Sequence, residues 1–185
     1  MPSAANVSTG KPKVAGAVFR APLSSTLTLP TDATKALPSD YIEQGYCSDS
    51  GMTNNFNIST GDIKAWGGKK VLTYVESEDD TFKFVLIESE NVEVLKTVYG
   101  SKSVTGDIKT GVAVAVGSGD RESSSWAIDM IMNSGVIKRV VIPSGKVTAI
   151  DEIAYTDNGA VGYGITISCD SDVAGNYHYE YLVKA

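Results

Sequence analysis

Any chemistry this chain performs would have to start from one imidazole, two thiols and a large supply of carboxylates. The imidazole is His178, set in Tyr177-His178-Tyr179-Glu180-Tyr181. A nucleophilic triad needs it beside a nucleophile and a carboxylate, and the sequence holds no G-x-S-x-G elbow to present a serine. Among alternating aromatics, His178 reads instead as an exposed or interface position on a strand. The thiols, Cys47 and Cys169, lie far apart and outside any C-x-x-C pair, so they read as two unpaired buried thiols. One histidine with two distant cysteines cannot close a compact zinc site, and no metal or other cofactor is expected.

Glycine is plentiful at 18 residues, yet there is no GxxxxGK[ST], and no GxGxxG opens a helix after a strand. The acidic run Glu76-Ser77-Glu78-Asp79-Asp80 lacks the calcium-loop spacing and its glycine, and reads as a solvated hairpin tip. Any two of the 22 acids could meet in space, so paired-carboxylate hydrolysis leaves no mark that a sequence would show. The expectation is a protein that is not an enzyme.

The elements that would position these groups are mostly strands. From Tyr41 onward, runs such as Asn55 to Thr60, Lys70 to Val75 and Thr81 to Ile87 carry strand signals, with Trp66-Gly67-Gly68 as a turn. Asn91 to Tyr99 changes period: Val92, Leu95, Val98 and Tyr99 share one helical face, Ser89 or Asn91 caps the start, and Gly100 suits the end. Further strands are expected over Gly111 to Val116, Ser124 to Met132, Val136 to Ile142, Lys146 to Tyr155, Val161 to Cys169 and Tyr177 to Val183. Asn133-Ser134-Gly135, Pro143-Ser144-Gly145 and Asp157-Asn158-Gly159 are the expected turns between them.

The stretch before Pro38 differs. With Pro38 itself it holds five of the six prolines, which argue against a helix or a central strand, while Val14-Ala15-Gly16-Ala17-Val18-Phe19 and Leu27-Thr28-Leu29 are apolar enough to bury. Residues 1–38 are therefore expected to be an extended arm that docks on its own domain or on a neighbouring subunit. Residues 39–185 are expected to form one β-rich domain, with a long bridging loop within 41–80. On this reading residues 1–30 are dispensable for the core.

The net charge of −6 provides no basic face for gripping phosphates. It is compatible with a surface that DNA slides past. Nothing approaches eighteen consecutive apolar residues, and the first ten residues lack the apolar stretch of a secretory signal, so a cytosolic, membrane-free protein is expected.

Four ordered blocks carry a resemblance: Gly45-Tyr46-Cys47-Ser48-Asp49-Ser50-Gly51-Met52-Thr53, Ile63-Lys64-Ala65-Trp66-Gly67-Gly68, Asp80-Thr81-Phe82-Lys83-Phe84-Val85-Leu86-Ile87-Glu88, and Asn91-Val92-Glu93-Val94-Leu95-Lys96-Thr97-Val98-Tyr99-Gly100. They lie in order between about Tyr41 and Gly100, roughly a third of the chain, and they resemble the major tail proteins of long-tailed siphophages of Gram-positive and actinobacterial hosts. The resemblance implies a mainly β fold, a β-sandwich or barrel with one flanking helix, assembled as stacked hexameric rings around a DNA channel. It also implies a virion protein made in the host bacterial cytoplasm, which meets the tape-measure protein and DNA in the lumen and tail-tip and tail-terminator proteins at the tube ends. Val18, Phe19, Tyr46 and Trp66 are the expected inter-subunit contacts, and Asp129, Asp151 and Glu152 the expected lumen-facing acids. The competing expectation for these acids is that they face the outside of the tube or pair with Lys138 and Arg139 on a neighbouring strand. The alternatives are a tube protein of a contractile injection device or a capsid or head-decoration protein. A secreted carbohydrate-binding sandwich would want a signal peptide and one aromatic face.

Overall fold

The computed structural model describes residues 2–13, 17–119, 121–133 and 135–184. Val14-Ala15-Gly16 of the expected sticky segment and Ser134 of an expected turn lie outside them. The strands are β1 (Gly10–Pro12), β2 (Val18–Pro22), β3 (Ile42–Glu43), β4 (Cys47–Lys64), β5 (Lys70–Leu86), β6 (Val104–Asp107), β7 (Gly111–Val114), β8 (Ser124–Met132), β9 (Val136–Ile150), β10 (Tyr163–Asp170) and β11 (Tyr179–Lys184). One α-helix, α1 (Val92–Tyr99), follows β5.

Among the described residues, nine strands join one antiparallel sheet along β3-β2-β8-β9-β10-β5-β4, with β1 on the β8 edge and β11 on the β9 edge. β6 and β7 pair separately. The sheet folds over into a β-sandwich. Phe84 on β5 meets Trp126 on β8 with ring centroids 6.4 Å apart, although two strands separate them in the ladder. In a flat sheet that separation would be about 14 Å. Between the layers lie Phe82, Phe84, Leu86, Trp126, Ile128, Ile142, Ile165 and Ile167, all nearly inaccessible.

The helix closes one side of this core with Val94, Leu95 and Val98. Asn91 caps it by accepting from the Glu93 amide at 3.0 Å. Gly100 ends it at φ 95°, ψ 142°, a conformation a side chain would resist.

The expected turn at Pro143-Ser144-Gly145 is not a turn. Residues 136–150 form one strand that changes partners at this point, pairing β11 through Val141 and β10 from Ser144. On the β8 side the register slips here as well, so that Pro143 and Ser144 face Ser125 alone. Proline fits because a bulge has no ladder bond for its missing amide to break. Gly145 fits because a Cβ there would lie 2.7 Å from Ile167, while the Trp126 indole donates to the Gly145 carbonyl at 3.0 Å.

The stretch before Pro38 also differs from expectation, because part of it belongs to the sheet. β2 pairs with β8 from Val18↔Ile128 to Pro22↔Ser124, and Val18 and Ala21 are buried. Pro22 sits at the strand end, which is why the prolines did not prevent it. Beyond β2, Leu27, Leu37 and Tyr41 cover the outer face of β2 and β8 against Phe19 and Ala127. Arg20 points the other way, into the core. It donates to Ser124 Oγ (2.8 Å) and Thr97 Oγ1 (3.2 Å), and Thr97 donates to Gln44 Oε1 (2.6 Å). Burial pulls the Arg20 pKa down, partly offset by Glu122 and Glu93.

Candidate functional site

The structure brings a thiol, an imidazole and a carboxylate together at one place, around Asp80. That side chain is inaccessible to solvent. It accepts from Asn54 Nδ2 at 2.6 Å and from His178 Nδ1 at 2.5 Å. The Cys169 thiol lies against the same carboxylate, and burial together with that carboxylate drives its pKa far up. Nucleophilic catalysis needs the imidazole between thiol and acid, so that it can take the proton. Here the acid is in the middle and the thiol is held protonated, an arrangement suited to holding strands together. Burial also raises Cys47, to about 11. Among the described residues no group of His, Cys, Asp and Glu side chains could hold a metal ion, and no helix is long and apolar enough to cross a membrane.

Asp80 was expected on a solvated hairpin tip. It lies inside β5, in register with Phe82, Phe84 and Leu86 at every second position, all buried. That parity was the signal in the sequence, and the three acidic neighbours Glu76, Glu78 and Asp79 masked it.

The hairpin tip lies elsewhere. β4 and β5 pair from Met52↔Phe84 out to Lys64↔Lys70, so the segment expected as a bridging loop is a long antiparallel ribbon. It turns at Ala65–Lys69, where Gly67 and Gly68 take φ of 96° and 86°, and Trp66 stands fully exposed. All ten residues of β5 from Lys70 to Asp79 are exposed, whereas Asp80, Phe82, Phe84 and Leu86 are buried. At about 3.3 Å per residue, ten residues make an arm of roughly 30 Å beyond the body. Burial does not alternate along this part of β5 because both faces of the arm meet solvent. The arm nonetheless carries Phe56, Ile58, Ile63, Val71, Leu72, Tyr74 and Val75, each about half exposed. An exposed apolar surface of this kind marks an interaction site.

The other expected site residues fall into two groups. Val18 is buried and Phe19 half-buried in the chain's own packing; Tyr46 is exposed beside the root of the arm, and its amide donates to Glu88 Oε1 at 2.9 Å. Asp129 is buried and ion-paired with Arg139, the competing expectation for it, so its carboxylate faces protein in this chain. Asp151 and Glu152 lie just beyond β9 and are exposed, with Asp151 2.9 Å from Lys83 Nζ. A cleft of about 460 Å³ between β1, β8 and the start of β4 is floored by Met52, Phe84, Ile128 and Met130.

These features define a mainly β subunit whose conspicuous surface is an unpartnered apolar arm and whose only His–Cys–Asp cluster, among the described residues, is structural. The family model for phage tail tube proteins matches residues 9–185, and the chain belongs to that family. It is a structural tail tube protein of a bacteriophage virion. No curated protein matches the chain significantly.

Proposed function

We propose that this subunit self-assembles into stacked hexameric rings forming the tail tube of a siphophage, the conduit through which DNA leaves the virion. The observation that carries the reading is the arm: a two-stranded ribbon with apolar side chains on both faces, an open outer edge on β4, and, beyond the contact of Tyr177 with Phe56 at its root, apolar side chains left about half exposed among the described residues. Ribbons of two strands are marginal in water, and open edges are pairing sites for other chains. A second copy supplies both the cover and the third strand, and closure into a ring leaves fewer open edges. Trp66 at the tip and Tyr46 at the root are the contacts proposed to reach that copy.

The tape-measure protein and DNA occupy the lumen without specific binding, tail-tip and terminator proteins bound its ends, and the host is Gram-positive or actinobacterial. These proposals rest on the family and on the four sequence blocks. The wall facing DNA is neutral to acidic, in keeping with the net charge of −6, since a lysine-lined wall would hold the phosphates. Asp151 and Glu152, exposed in the single chain, are the acids available to it.

Negative-stain microscopy of the purified protein, alone and seeded with tail-tip components, tests the reading. Rings or tubes of uniform bore are expected. A monomer under every condition would overturn it.

A further inference from the structure

The arm leaves the body at one sharp point on β5, where ten exposed residues give way to the inaccessible Asp80. Two residues preceding β11 grip the ribbon there. His178 donates to Asp80 Oδ2 at 2.5 Å and stands edge-on to Phe82 with centroids 5.1 Å apart. Tyr177 packs on Phe56, the cross-strand partner of Asp80, at 5.9 Å, and its hydroxyl reaches the Glu78 carbonyl at 3.4 Å. Asn54 of β4 holds the other oxygen of Asp80. Both strands of the ribbon are thus tied, at their exit, to a segment that belongs to neither.

That segment is itself braced. Asp172 accepts from the amides of Ala174 and Asn176 and from the Tyr179 hydroxyl, and β11 is paired along β9 from Val141 to Val136. Glu180 lies 4.0 Å from His178 Nε2 and pairs with Lys138 of β9 at 2.7 Å. An isolated ribbon of this length has no reason to keep one direction relative to the body, since each strand bends freely once its neighbours end.

We propose that Tyr177 and His178 form a clasp that fixes the direction of the β4–β5 arm, so that the arm is set for its partner before the partner arrives. His178 is a positioning residue in this scheme. It tells the arm where to point and touches no partner. The clasp rests on the reading of the arm as an assembly element, and it makes β11 and the arm one mechanical unit: whatever displaces the segment before β11 releases the arm. Presetting a flexible element in its bound geometry speeds and tightens association by lowering the ordering cost.

The test is hydrogen exchange on wild type, His178→Ala and Tyr177→Ala, with assembly followed by light scattering. Both variants are expected to exchange amides 54–58 and 78–82 faster by about ten-fold, roughly the factor one hydrogen bond to a charged group is worth. Core amides at 126–128, 140–142 and 165–167 are expected to keep wild-type protection, which a general loss of stability would not allow. His178→Gln, which keeps a donor, is expected to recover part of the protection. Wild-type exchange at the arm root in both alanine variants would overturn the clasp. If His178→Ala fails to fold, Tyr177→Ala, which leaves Asp80 its donors, decides alone. A wild type that never assembles defeats the assembly reading, while the exchange arm still reports on the clasp.

Discussion

Asp129 and Arg139 stand opposite each other in the β8–β9 register and close a two-point ion pair, Nε to Oδ1 at 2.6 Å and Nη2 to Oδ2 at 2.7 Å. The third guanidinium nitrogen donates to the carbonyls of Asp32 and Lys35 at 3.0 and 2.9 Å, so the pair also anchors the 32–35 turn to the sheet. Both side chains are almost wholly buried. Asp129→Ala strands a buried cation and is expected to cost about 3–5 kcal/mol in urea unfolding. Replacing both residues with apolar ones of similar volume is expected to cost less than the single change. Equal or additive losses would show that the two residues do not act as a pair.

The placement of β2 reverses one expectation from sequence. Deleting residues 1–30 removes Val18 and Ala21 from the core and Arg20 from Ser124 and Thr97. The truncated chain is expected to lose its cooperative thermal transition by circular dichroism. Deleting residues 1–9, which contribute no buried side chain among those described, is expected to keep it.

Trp66 separates folding from association. Its side chain touches nothing that holds the body together, so Trp66→Ser is expected to shift unfolding by less than about 0.5 kcal/mol. Assembly, measured by light scattering, is expected to slow markedly. A large stability loss with normal assembly would count against the arm as an interface.

Acid stability depends on two turn aspartates. Amides of Lys35 and Thr34 hold the Asp32 carboxyl well below the usual range, and the Tyr179 hydroxyl with the 174–176 amides lowers Asp172. A depressed carboxyl stabilises the fold above its unfolded value, about 4, and that contribution drains away as pH falls through the lower folded value. Thermal melts between pH 6 and 2 are expected to fall more gently for Asp172→Asn than for wild type below pH 4. Parallel curves would remove Asp172 from the account.

Both thiols are free and both are pushed upward by burial, Cys47 to about 11. At pH 8 the thiolate fraction is small, so the folded protein is expected to react with a disulfide reagent far more slowly than the urea-unfolded chain. Equal rates would mean that Cys47 is more open than its surroundings allow.

Much of the fold was legible in residue patterns, and the failures have physical causes. Ser124 to Met132 reads as a strand with the observed bounds, and the α1 cap and terminal glycine read correctly, because local geometry dictates them. Pro143-Ser144-Gly145 was misread because a bulge and a turn draw on the same residue types, and only the identity of the flanking partners separates them. β2 was hidden among prolines whose positions at strand ends do no harm. Strands are legible inside the arm, at Asn55 to Thr60 and Lys70 to Val75, but their pairing into one long ribbon about the Ala65–Lys69 turn is not, because two short runs in a polar segment do not show how far the ladder between them extends. The cluster at Asp80 was half legible: its parity with Phe82 and Phe84 was in the sequence, whereas its meeting with His178 is a matter of tertiary contact that spacing does not encode.

The arm has a consequence for the free subunit's solubility. From Met52 to Gly61 the chain carries no charged residue, and it is rich in asparagine, threonine and apolar side chains on an open edge. Such a stretch is a seed for non-native fibre growth. Its safeguards are all nearby: Asp49 and Asp62 flank it, and the exposed acids facing it across the ladder include Asp79 opposite Asn57 and Glu78 opposite Ile58, next to the buried Asp80 opposite Phe56. Two ribbons stacking face to face would bring those acids together without counter-ions. The acidic run on β5 therefore acts as a gatekeeper, keeping a surface built for one ordered polymer from nucleating a disordered one.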